Sequence, residues 1–246
     1  MIKSDNSSDN QKVVPKARGI IHKVIIEWFS NQPRGKLLDA PAGYGHLSMR
    51  LKELGYKVVC GEIEPQIFKA QEIKCIFTDL NRNIEAPDKS FDYICCVDGL
   101  EHMTDPYRAV EEFSRVLKPG GIGVFSIPNY SNIEKRFKFF LKGSLTKPKT
   151  MDDYDKSGRN LFNFHNSPLT ITLLDLIFSI NNLKVETILR DKIKLKQYLF
   201  LPVVFAMKTA AFLSSKKASL KNRYDITLKN RVILGGNTLI FIVRKK

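Results

Sequence analysis

The sequence contains few cysteines, and none of them are paired in a metal-binding pattern. Its four cysteines are Cys60, Cys75, Cys95 and Cys96, and no C-x-x-C pair occurs among them. This spacing favours neither a zinc knuckle nor a disulfide framework. We therefore expect reduced cysteines in or beside strands, as in a cytoplasmic protein.

A long apolar run is also lacking. The most apolar segment, residues 198–213 within an insertion at about 196–216, has 16 residues and contains Pro202 and Lys208. A membrane-spanning helix needs about 20 apolar residues, so we do not expect this segment to span a bilayer. Three interpretations remain: an interfacial helix anchored by basic flanks, a cap over a substrate pocket, or a core helix. The flanking cations are Lys192, Lys194, Lys196, Lys216, Lys217, Lys221 and Arg223.

The start of the chain is poor in apolar side chains. Residues 1–16 are rich in Ser, Asp and Asn and contain no apolar core of the signal-peptide type. We expect a disordered tail there and no secretion signal. Residues 17–246 are long enough for one α/β domain with additions.

Acidic residues are scarce in the second half of the chain. Residues 1–125 hold 17 Lys or Arg and 17 Asp or Glu, so residues 126–246 carry the whole formal net charge of +15. This asymmetry indicates an anionic partner: nucleic acid, an acidic lipid surface or a phosphorylated substrate. A solvated lysine-rich face would also be basic, but it explains the asymmetry poorly.

Four apolar runs end in acidic residues, as the strands of a nucleotide-binding parallel sheet do. After the first run, Gly43 and Gly45 permit a sharp turn and the close approach of a ligand. Because the carboxyl ends of parallel strands meet at one edge, the acids should line one crevice. The runs are residues 37–39, 58–62, 75–79 and 91–98, ending at or beside Asp39, Glu62, Asp79 and Asp98.

Together these motifs resemble the class I S-adenosylmethionine-dependent methyltransferases. The resemblance covers about residues 37–129 and includes the segments at 90–94, 100–106 and 115–121. It implies an α/β fold with a Rossmann-like, mostly parallel seven-stranded sheet, helices on both faces and an antiparallel seventh strand. We place a first helix at 17–30, and strands five to seven at 122–127, 183–189 and 237–243, the last pairing with the edge of the sheet.

The resemblance also implies the residues that bind S-adenosylmethionine. The loop that starts at Asp39 would hold the methionine part, Glu62 the ribose hydroxyls, and Asp79 the adenine amino group, with Leu80 packed on the ring. Pro41 departs from the family, which usually has a third glycine there, so the turn is stiffer. The predicted cofactor residues are Asp39, Ala40, Gly43, Gly45, Glu62, Ile63, Asp79, Leu80 and Asp98.

Methyl transfer requires mainly alignment, because the cofactor carries its own leaving group. A base is needed only if the acceptor loses a proton. The candidate catalytic residues are Glu101, His102 and His165; His102 can titrate near neutral pH, and Glu101 could orient it.

A divalent metal site is an alternative use of the same segment. Asp98, Glu101 and His102 would share one face of a helical turn, with His165 as a fourth ligand. The run is similar to the E-x-x-E-H element of ubiquinone-biosynthesis O-methyltransferases and small-RNA 2′-O-methyltransferases, where a metal assists. We prefer the simpler interpretation, in which Glu101 and His102 line the cofactor pocket without a metal.

The substrate region is predicted at about residues 129–168. Its pattern indicates a basic amphipathic helix from about 133 to 142, a polar mobile loop at 143–160, and an aromatic segment with His165 before a helix at 169–180. We predict an O-methyltransferase for a membrane-associated or anionic small molecule, such as a lipid-linked saccharide or quinone precursor. It would act in the cytoplasm or at the inner face of the membrane.

Two other functions stay open. A 2′-O-methyltransferase acting on RNA would explain the charge, but the basic half contains no recognisable RNA-binding module. A non-catalytic scaffold that binds a membrane or a partner is the second alternative. The intact acids and glycines of the cofactor motifs argue against a scaffold.

Overall fold

The computed structural model describes residues 19–146 and 149–246, and the predicted tail at 1–16 lies outside them. One seven-stranded sheet forms the centre of the protein, in the order β3-β2-β1-β4-β5-β7-β6. Its strands are β1 (Lys36–Asp39), β2 (Lys57–Glu62), β3 (Cys75–Phe77), β4 (Phe91–Cys96), β5 (Leu117–Pro128), β6 (Leu183–Arg190) and β7 (Thr238–Lys245).

The seventh strand is antiparallel to both of its neighbours, β5 and β6, while β1 to β5 pair in parallel. The predicted fold class is therefore confirmed. The predicted antiparallel pairing of β7 with the edge of the sheet is also observed, because β7 lies between β5 and β6, and β6 is the edge strand. Residues 239–243 of β7 are buried on both faces, which suits an interior position better than an edge.

Helices cover both faces of the sheet, as predicted. The helix expected at 17–30 is observed from residue 19, and the expected amphipathic helix is α4. The helices are α1 (Gly19–Ser30), α2 (His46–Glu53), α3 (Pro106–Val116), α4 (Ile133–Lys142), α5 (Met151–Lys156), α6 (Ile171–Ile180), α7 (Leu201–Leu213), α8 (Lys216–Lys221), α9 (Tyr224–Thr227) and α10 (Asn230–Ile233).

The core has two main layers because neighbouring strand residues point to opposite faces of the sheet. Leu37 packs on one face with Phe29 of α1 and other residues of α1 and α2. Leu38, the next residue, packs on the other face with Phe113 of α3 and Phe178 of α6. Packing on both faces holds the strands in place, and it thereby fixes the positions of the strand ends.

The segment at 143–160 is not the simple loop that its polarity predicts. It contains α5, whose first turn has a capping box: the Thr150 side chain accepts from the backbone of Asp153, and the Asp153 side chain accepts from the backbone of Thr150. Two otherwise unpaired backbone donors are satisfied in this way, so a short polar helix can form.

The apolar segment at 198–213 forms the end of a 3₁₀ helix, Leu195–Phe200, followed by α7. In α7 only Val204 is buried, where it packs with Ile133, Leu228 and Ile233. This limited burial contradicts the interpretation of the whole segment as a core helix. In the described part of the chain, every helix is too short or too polar to cross a membrane.

Candidate active site

A cavity of about 830 Å³ opens where β1, β2, β4 and β5 end. The residues at these strand ends, Asp39, Glu62, Asp98 and Pro128, all line it. Because parallel strands place their carboxyl ends at one edge, residues far apart in sequence meet in one crevice. No residue of α7 is among those that line the cavity, so the interpretation of that segment as a cap has no support.

Asp39 is a buried carboxyl group held by a serine. Ser48, in α2, donates a hydrogen bond from Oγ to Asp39 Oδ2 at 2.5 Å. Burial raises the pKa of Asp39 to about 7, the Ser48 bond opposes that rise, and Glu62 adds to it. Asp39 thus fixes the start of α2 to the end of β1, at the floor of the cavity.

Glu62 joins the end of β2 to the glycine turn. Its Oε2 accepts from the backbone N–H of Gly43 at 2.7 Å, and its Oε1 accepts from the N–H of Ile63 at 3.0 Å. All three residues line the cavity. Each carboxylate oxygen retains capacity for a further donor, so Glu62 fits the predicted contact with two ribose hydroxyls.

The predicted adenine end is formed by Asp79 and Leu80, which also line the cavity. Asn81, which sequence reasoning missed, donates from its backbone N–H to Asp79 Oδ1 at 3.0 Å. Its own Oδ1 accepts from the backbone N–H of Thr104 at 2.8 Å. Asn81 therefore connects the loop after β3 to the segment before α3.

Two of the predicted cofactor residues do not line the cavity. Ala40 is fully buried in the core layer that contains Leu38. Gly45 precedes α2 with a φ of 87°, and a Cβ there would lie 2.6 Å from a ring carbon of Phe68. The structure therefore gives Gly45 a turning and packing role, whereas Gly43, with a φ of 56°, is the glycine that faces the cavity.

The proline that departs from the family pattern is accommodated by a glycine from another loop. A Cβ on Gly99 would lie 2.5 Å from Cδ of Pro41. Gly99, which the sequence analysis did not single out, leaves the space that Pro41 fills.

Asp98 does not form the helical face that the metal hypothesis requires. Its φ is 49°, and the 3₁₀ helix Leu100–His102 begins only after it. Its backbone N–H donates to Ser126 Oγ, and the Ser126 hydroxyl donates to Asp98 Oδ1, both at 2.8 Å. Because Ser126 holds Asp98 against β5, the predicted set of Asp98, Glu101 and His102 does not come together on one face.

Glu101, His102 and His165 do come together. One potential ligand atom from each lies within 4.8 Å of the others, and the two imidazole rings meet edge to face at 4.9 Å. Tyr130 completes the group, with its hydroxyl 3.1 Å from His165 Nδ1. We call these four residues the histidine cluster.

Hydrogen bonds from the segment after His165 hold the histidine cluster together. The N–H of Ser167 donates to the backbone carbonyl of Glu101 at 3.0 Å, and the side-chain amide of Asn166 donates to the backbone carbonyl of His102 at 3.1 Å. Ser167 Oγ also donates to the carbonyl of Met103 at 2.8 Å. These bonds connect segments about sixty residues apart, which no local pattern reveals.

Burial controls protonation in the histidine cluster. Burial, with the nearby Asp98, raises the pKa of Glu101 to about 8, and Glu101 Oε2 has no hydrogen-bond partner among the described residues. Burial also lowers the pKa of His165, and His102, Lys149 and Lys135 lower it further. His165 is therefore a neutral imidazole near pH 7 and can accept a proton.

The wall of the cavity beside the histidine cluster is basic and aromatic. Lys135 of α4, Lys149, Phe162 and Phe164 line it, and Lys149 Nζ lies 5.0 Å from the centre of the Phe164 ring. These groups can attract an anionic group and pack against an apolar or aromatic one.

The cavity is also lined by a histidine pair that sequence reasoning missed. His22 of α1 and His46 of α2 lie with their Nδ1 atoms 3.0 Å apart, and both line the cavity. Burial, with His46 nearby, lowers the pKa of His22 to about 4, so the pair is neutral at pH 7. Because His22 and His46 lie on separate helices, no sequence motif indicates that they meet.

The sequence was compared with protein-family models, with curated proteins and with solved structures, and it resembles methyltransferases in all three. Residues 38–125 match the family model described as a methyltransferase domain. The chain is 29% identical over 134 residues to the ubiquinone/menaquinone biosynthesis C-methyltransferase of Teredinibacter turnerae, covering 48% of this chain and 54% of that protein. It is 28% identical over 132 residues to the ubiquinone biosynthesis O-methyltransferase of Colwellia psychrerythraea, with 49% and 54% covered.

These matches span about half the length of the curated relatives. Solved structures match over more of the chain. A SAM-dependent methyltransferase from Archaeoglobus fulgidus has a TM-score of 0.58 at 15% identity, covering 93% of this chain and 95% of that one. The YcgJ protein of Bacillus subtilis has a TM-score of 0.57 at 18% identity, with 93% and 99% covered. At such identities these two structures establish the fold alone.

Proposed function

Residues 38–125 belong to the S-adenosylmethionine-dependent methyltransferase domains of class I, and on that premise we propose that this protein methylates an oxygen of an anionic or membrane-associated small molecule. The proposed acceptor is a quinone precursor or a lipid-linked saccharide. Support for a quinone precursor comes from the names of the relatives, which act in ubiquinone or menaquinone biosynthesis.

One observation carries the proposal. The same cavity is lined by the predicted cofactor residue Glu62, by the histidine cluster and by the wall of Lys135, Lys149, Phe162 and Phe164, which we call the acceptor wall. A cofactor bound along the strand ends and an acceptor bound beside Lys135 would therefore meet at His102 and His165. Alignment of the two reactants is the main contribution that methyl transfer asks of a protein.

The residues present fit the cofactor. Glu62 offers carboxylate oxygens to hydroxyl groups, Gly43 lets the backbone approach the ligand, and Leu80 offers an apolar surface to a ring. Bound S-adenosylmethionine supplies an activated methyl group together with its own leaving group. The protein's part is to orient the acceptor oxygen and to remove its proton.

His165 is the base that we propose for O-methylation. With Nδ1–H donating to the Tyr130 hydroxyl oxygen, the lone pair of Nε2 can take the proton of the acceptor. Glu101, buried next to His102, completes the cluster and keeps negative charge close to the imidazoles when it is ionised.

The same side chains also fit a divalent cation, because a carboxylate and two imidazoles form a common ligand set and Glu101 Oε2 is an unpaired buried oxygen. Glu101, His102 and His165 would hold the ion, which would polarise the acceptor oxygen. We prefer the metal-free cluster, and a chelator separates the two: full activity in chelator excludes the metal.

The proposal is tested in two steps. Calorimetry should show binding of S-adenosylmethionine and S-adenosylhomocysteine to the purified protein. Release of S-adenosylhomocysteine should then appear with phenolic acceptors that carry a carboxylate or an isoprenoid chain, or with lipid-linked saccharides. Absence of cofactor binding would show a scaffold rather than an enzyme, and turnover with RNA alone would show an RNA methyltransferase.

Variants of the acceptor wall sharpen the test. Lys135→Gln and Lys149→Gln should raise the KM for an anionic acceptor without changing cofactor affinity. Lys138→Gln is the matched control, because Lys138 is exposed on α4 and does not line the cavity. Equal KM values for all three variants would contradict the assignment of the acceptor wall.

A further inference from the structure

Apart from Lys208 and Thr209, helix α7 consists of apolar residues, but it packs against the protein along one narrow face. Val204 is buried, and Met207 and Ala211 are partly buried against the same small cluster. Phe205 is 73% exposed and Phe212 is 88% exposed. A helix of this composition is normally buried, so α7 lacks a packing partner on most of its surface within residues 19–146 and 149–246.

The exposed apolar surface continues onto α4. Phe200, just before α7, lies 5.4 Å from Phe137 of α4, and Phe137 lies 6.4 Å from Phe140, measured between ring centres. Phe140 is 81% exposed. We name this surface the α4–α7 face; its exposed members are Phe140, Leu141, Leu199, Phe205, Phe212 and Leu213.

Positive charge surrounds the α4–α7 face. The sequence contains no acidic residue between Glu134 and Asp152, and none between Asp191 and Asp225. The described residues of these two stretches include exposed lysines on α4, before α7 and on α8. They are Lys138, Lys142, Lys192, Lys196, Lys216, Lys217 and Lys221.

We propose that the α4–α7 face docks on a lipid bilayer that contains anionic lipid, with α7 lying in the plane of the interface. Exposed phenylalanine and leucine side chains can enter the boundary of the acyl chains, while the surrounding lysines meet the acidic headgroups. α7 has 13 residues, well short of the about 20 that a spanning helix needs. An interfacial position therefore suits both its length and its surroundings.

A bilayer fits this surface better than the other occupants. A second copy of the chain would bring another net charge of +15 against the same lysines, and like charges repel. RNA would complement the lysines, but aliphatic side chains such as Leu199 and Leu213 offer it neither charge nor a stacking ring.

The position of the face also bears on the acceptor, a point that rests on the proposed function. Lys135 of α4 lines the cavity, and so do Leu145, Thr146 and Lys149 in the segment that follows α4. A protein docked through α4 would therefore hold the acceptor wall of the cavity close to the bilayer. The acceptor class that this favours is an amphiphile whose polar head reaches the cavity while its tail remains in lipid.

Vesicle flotation tests the docking directly and does not depend on activity. The wild-type protein should float with vesicles of phosphatidylcholine and phosphatidylglycerol in equal parts at low salt. It should float poorly with phosphatidylcholine alone, and about 0.5 M salt should weaken binding to the anionic vesicles because it screens the lysines.

The variant Phe140→Ser, Phe205→Ser, Phe212→Ser should lower the vesicle partition coefficient at least about a hundredfold, because each ring loses its burial in lipid. These side chains are exposed, so their loss should not unfold the protein. The matched control is Leu173→Ser, Leu176→Ser, Ile180→Ser on α6, where the three side chains are 46%, 53% and 53% exposed. The control variant should bind vesicles as the wild-type protein does.

Several outcomes would overturn the docking proposal. They are failure of the wild-type protein to bind anionic vesicles, equal loss of binding in the α6 control, and unchanged binding in the phenylalanine variant. A dimer in solution that the phenylalanine variant abolishes, or RNA binding in place of vesicle binding, would identify a different occupant. Affinity for S-adenosylhomocysteine, measured on the same samples, tests the proposed function separately.

Discussion

The two halves of the chain hold their functional residues in different ways. In residues 1–125, which have equal numbers of acidic and basic side chains, Asp39 and Glu62 stand directly at strand ends and are fixed by short hydrogen bonds to Ser48 and Gly43. In residues 126–246, which carry the net charge of +15, His165 is positioned by its neighbours. Ser167 and Asn166 donate hydrogen bonds to the backbone carbonyls of Glu101 and His102.

This difference explains which half leaves surface uncovered. The strand ends of the first half are part of the sheet, so packing of the two core layers determines their positions. The second half also supplies β6 and β7 to the sheet, but its helix α7 packs only locally, in the cluster of Val204 with Ile133 and Leu228. A region built in this way can keep an apolar face exposed for a partner without weakening the sheet.

The largest expected contrast comes from two glycines with positive φ. At Gly45, in the first half, a Cβ would lie 2.6 Å from Phe68, whereas at Gly143, after α4, it would meet no atom of the described residues within 4 Å. We expect Gly45→Val to reduce the free energy of unfolding by about 4 to 6 kcal/mol, through strain and clash together. Gly143→Val should reduce it by about 1 to 2 kcal/mol, through strain alone. Denaturant unfolding measures the free energy of unfolding of both variants, and equal losses of stability would contradict the prediction.

Next in size is the effect of pH through Asp39. Its folded-state pKa of about 7 lies above the usual 3.8, so its contribution to stability is complete below pH 4 and is lost as pH rises to 7. The variant Asp39→Asn should remove about 3 to 4 kcal/mol of the stability difference between pH 4 and pH 8. Exposed Asp152, in the second half, provides the control Asp152→Asn, which should leave the pH profile as it is. The prediction fails if the two variants show the same profile.

Replacement of Glu62 should weaken binding of the cofactor rather than binding of the acceptor. Since S-adenosylmethionine and S-adenosylhomocysteine share the ribose, Glu62→Ala should lower both affinities by about 30- to 100-fold. Glu64→Ala is the matched control, because Glu64 also lines the cavity but is exposed. Calorimetry decides, and unchanged affinities in the Glu62 variant would refute its assignment to the ribose.

The smallest effect belongs to the ion pairs that join α4 to the segment before α7. Burial alone would raise the pKa of Glu134, but Lys194 and Lys196 hold it at about 2. This contribution is present above pH 4.5 and is lost as pH falls towards 2. Because Glu134 is partly exposed, solvent screening limits the loss in Glu134→Gln to about 1 kcal/mol at pH 7. Glu186→Gln, which removes an exposed pair with Arg244, should cost less; a larger loss there would contradict this ranking.

Local patterns in the sequence were sufficient to predict most of the sheet. The apolar runs of β1 to β4 and the acids that end them predicted both the strands and the crevice at their ends, because a buried strand and its end are visible in adjacent residues. Apolar spacing likewise placed α1 and α6 within a few residues of their observed bounds. It overlooked the capping box of Thr150, although that signal is also local.

The partners of the site residues were decided by tertiary structure. Ser126 fixes Asp98, Gly99 makes room for Pro41, and Asn81 bridges two loops, but none of these relations follows from spacing along the chain. The sequence therefore determined which residues stand at the strand ends. Only the fold decided which side chains meet across the crevice, because such contacts depend on distances between elements that lie far apart in sequence.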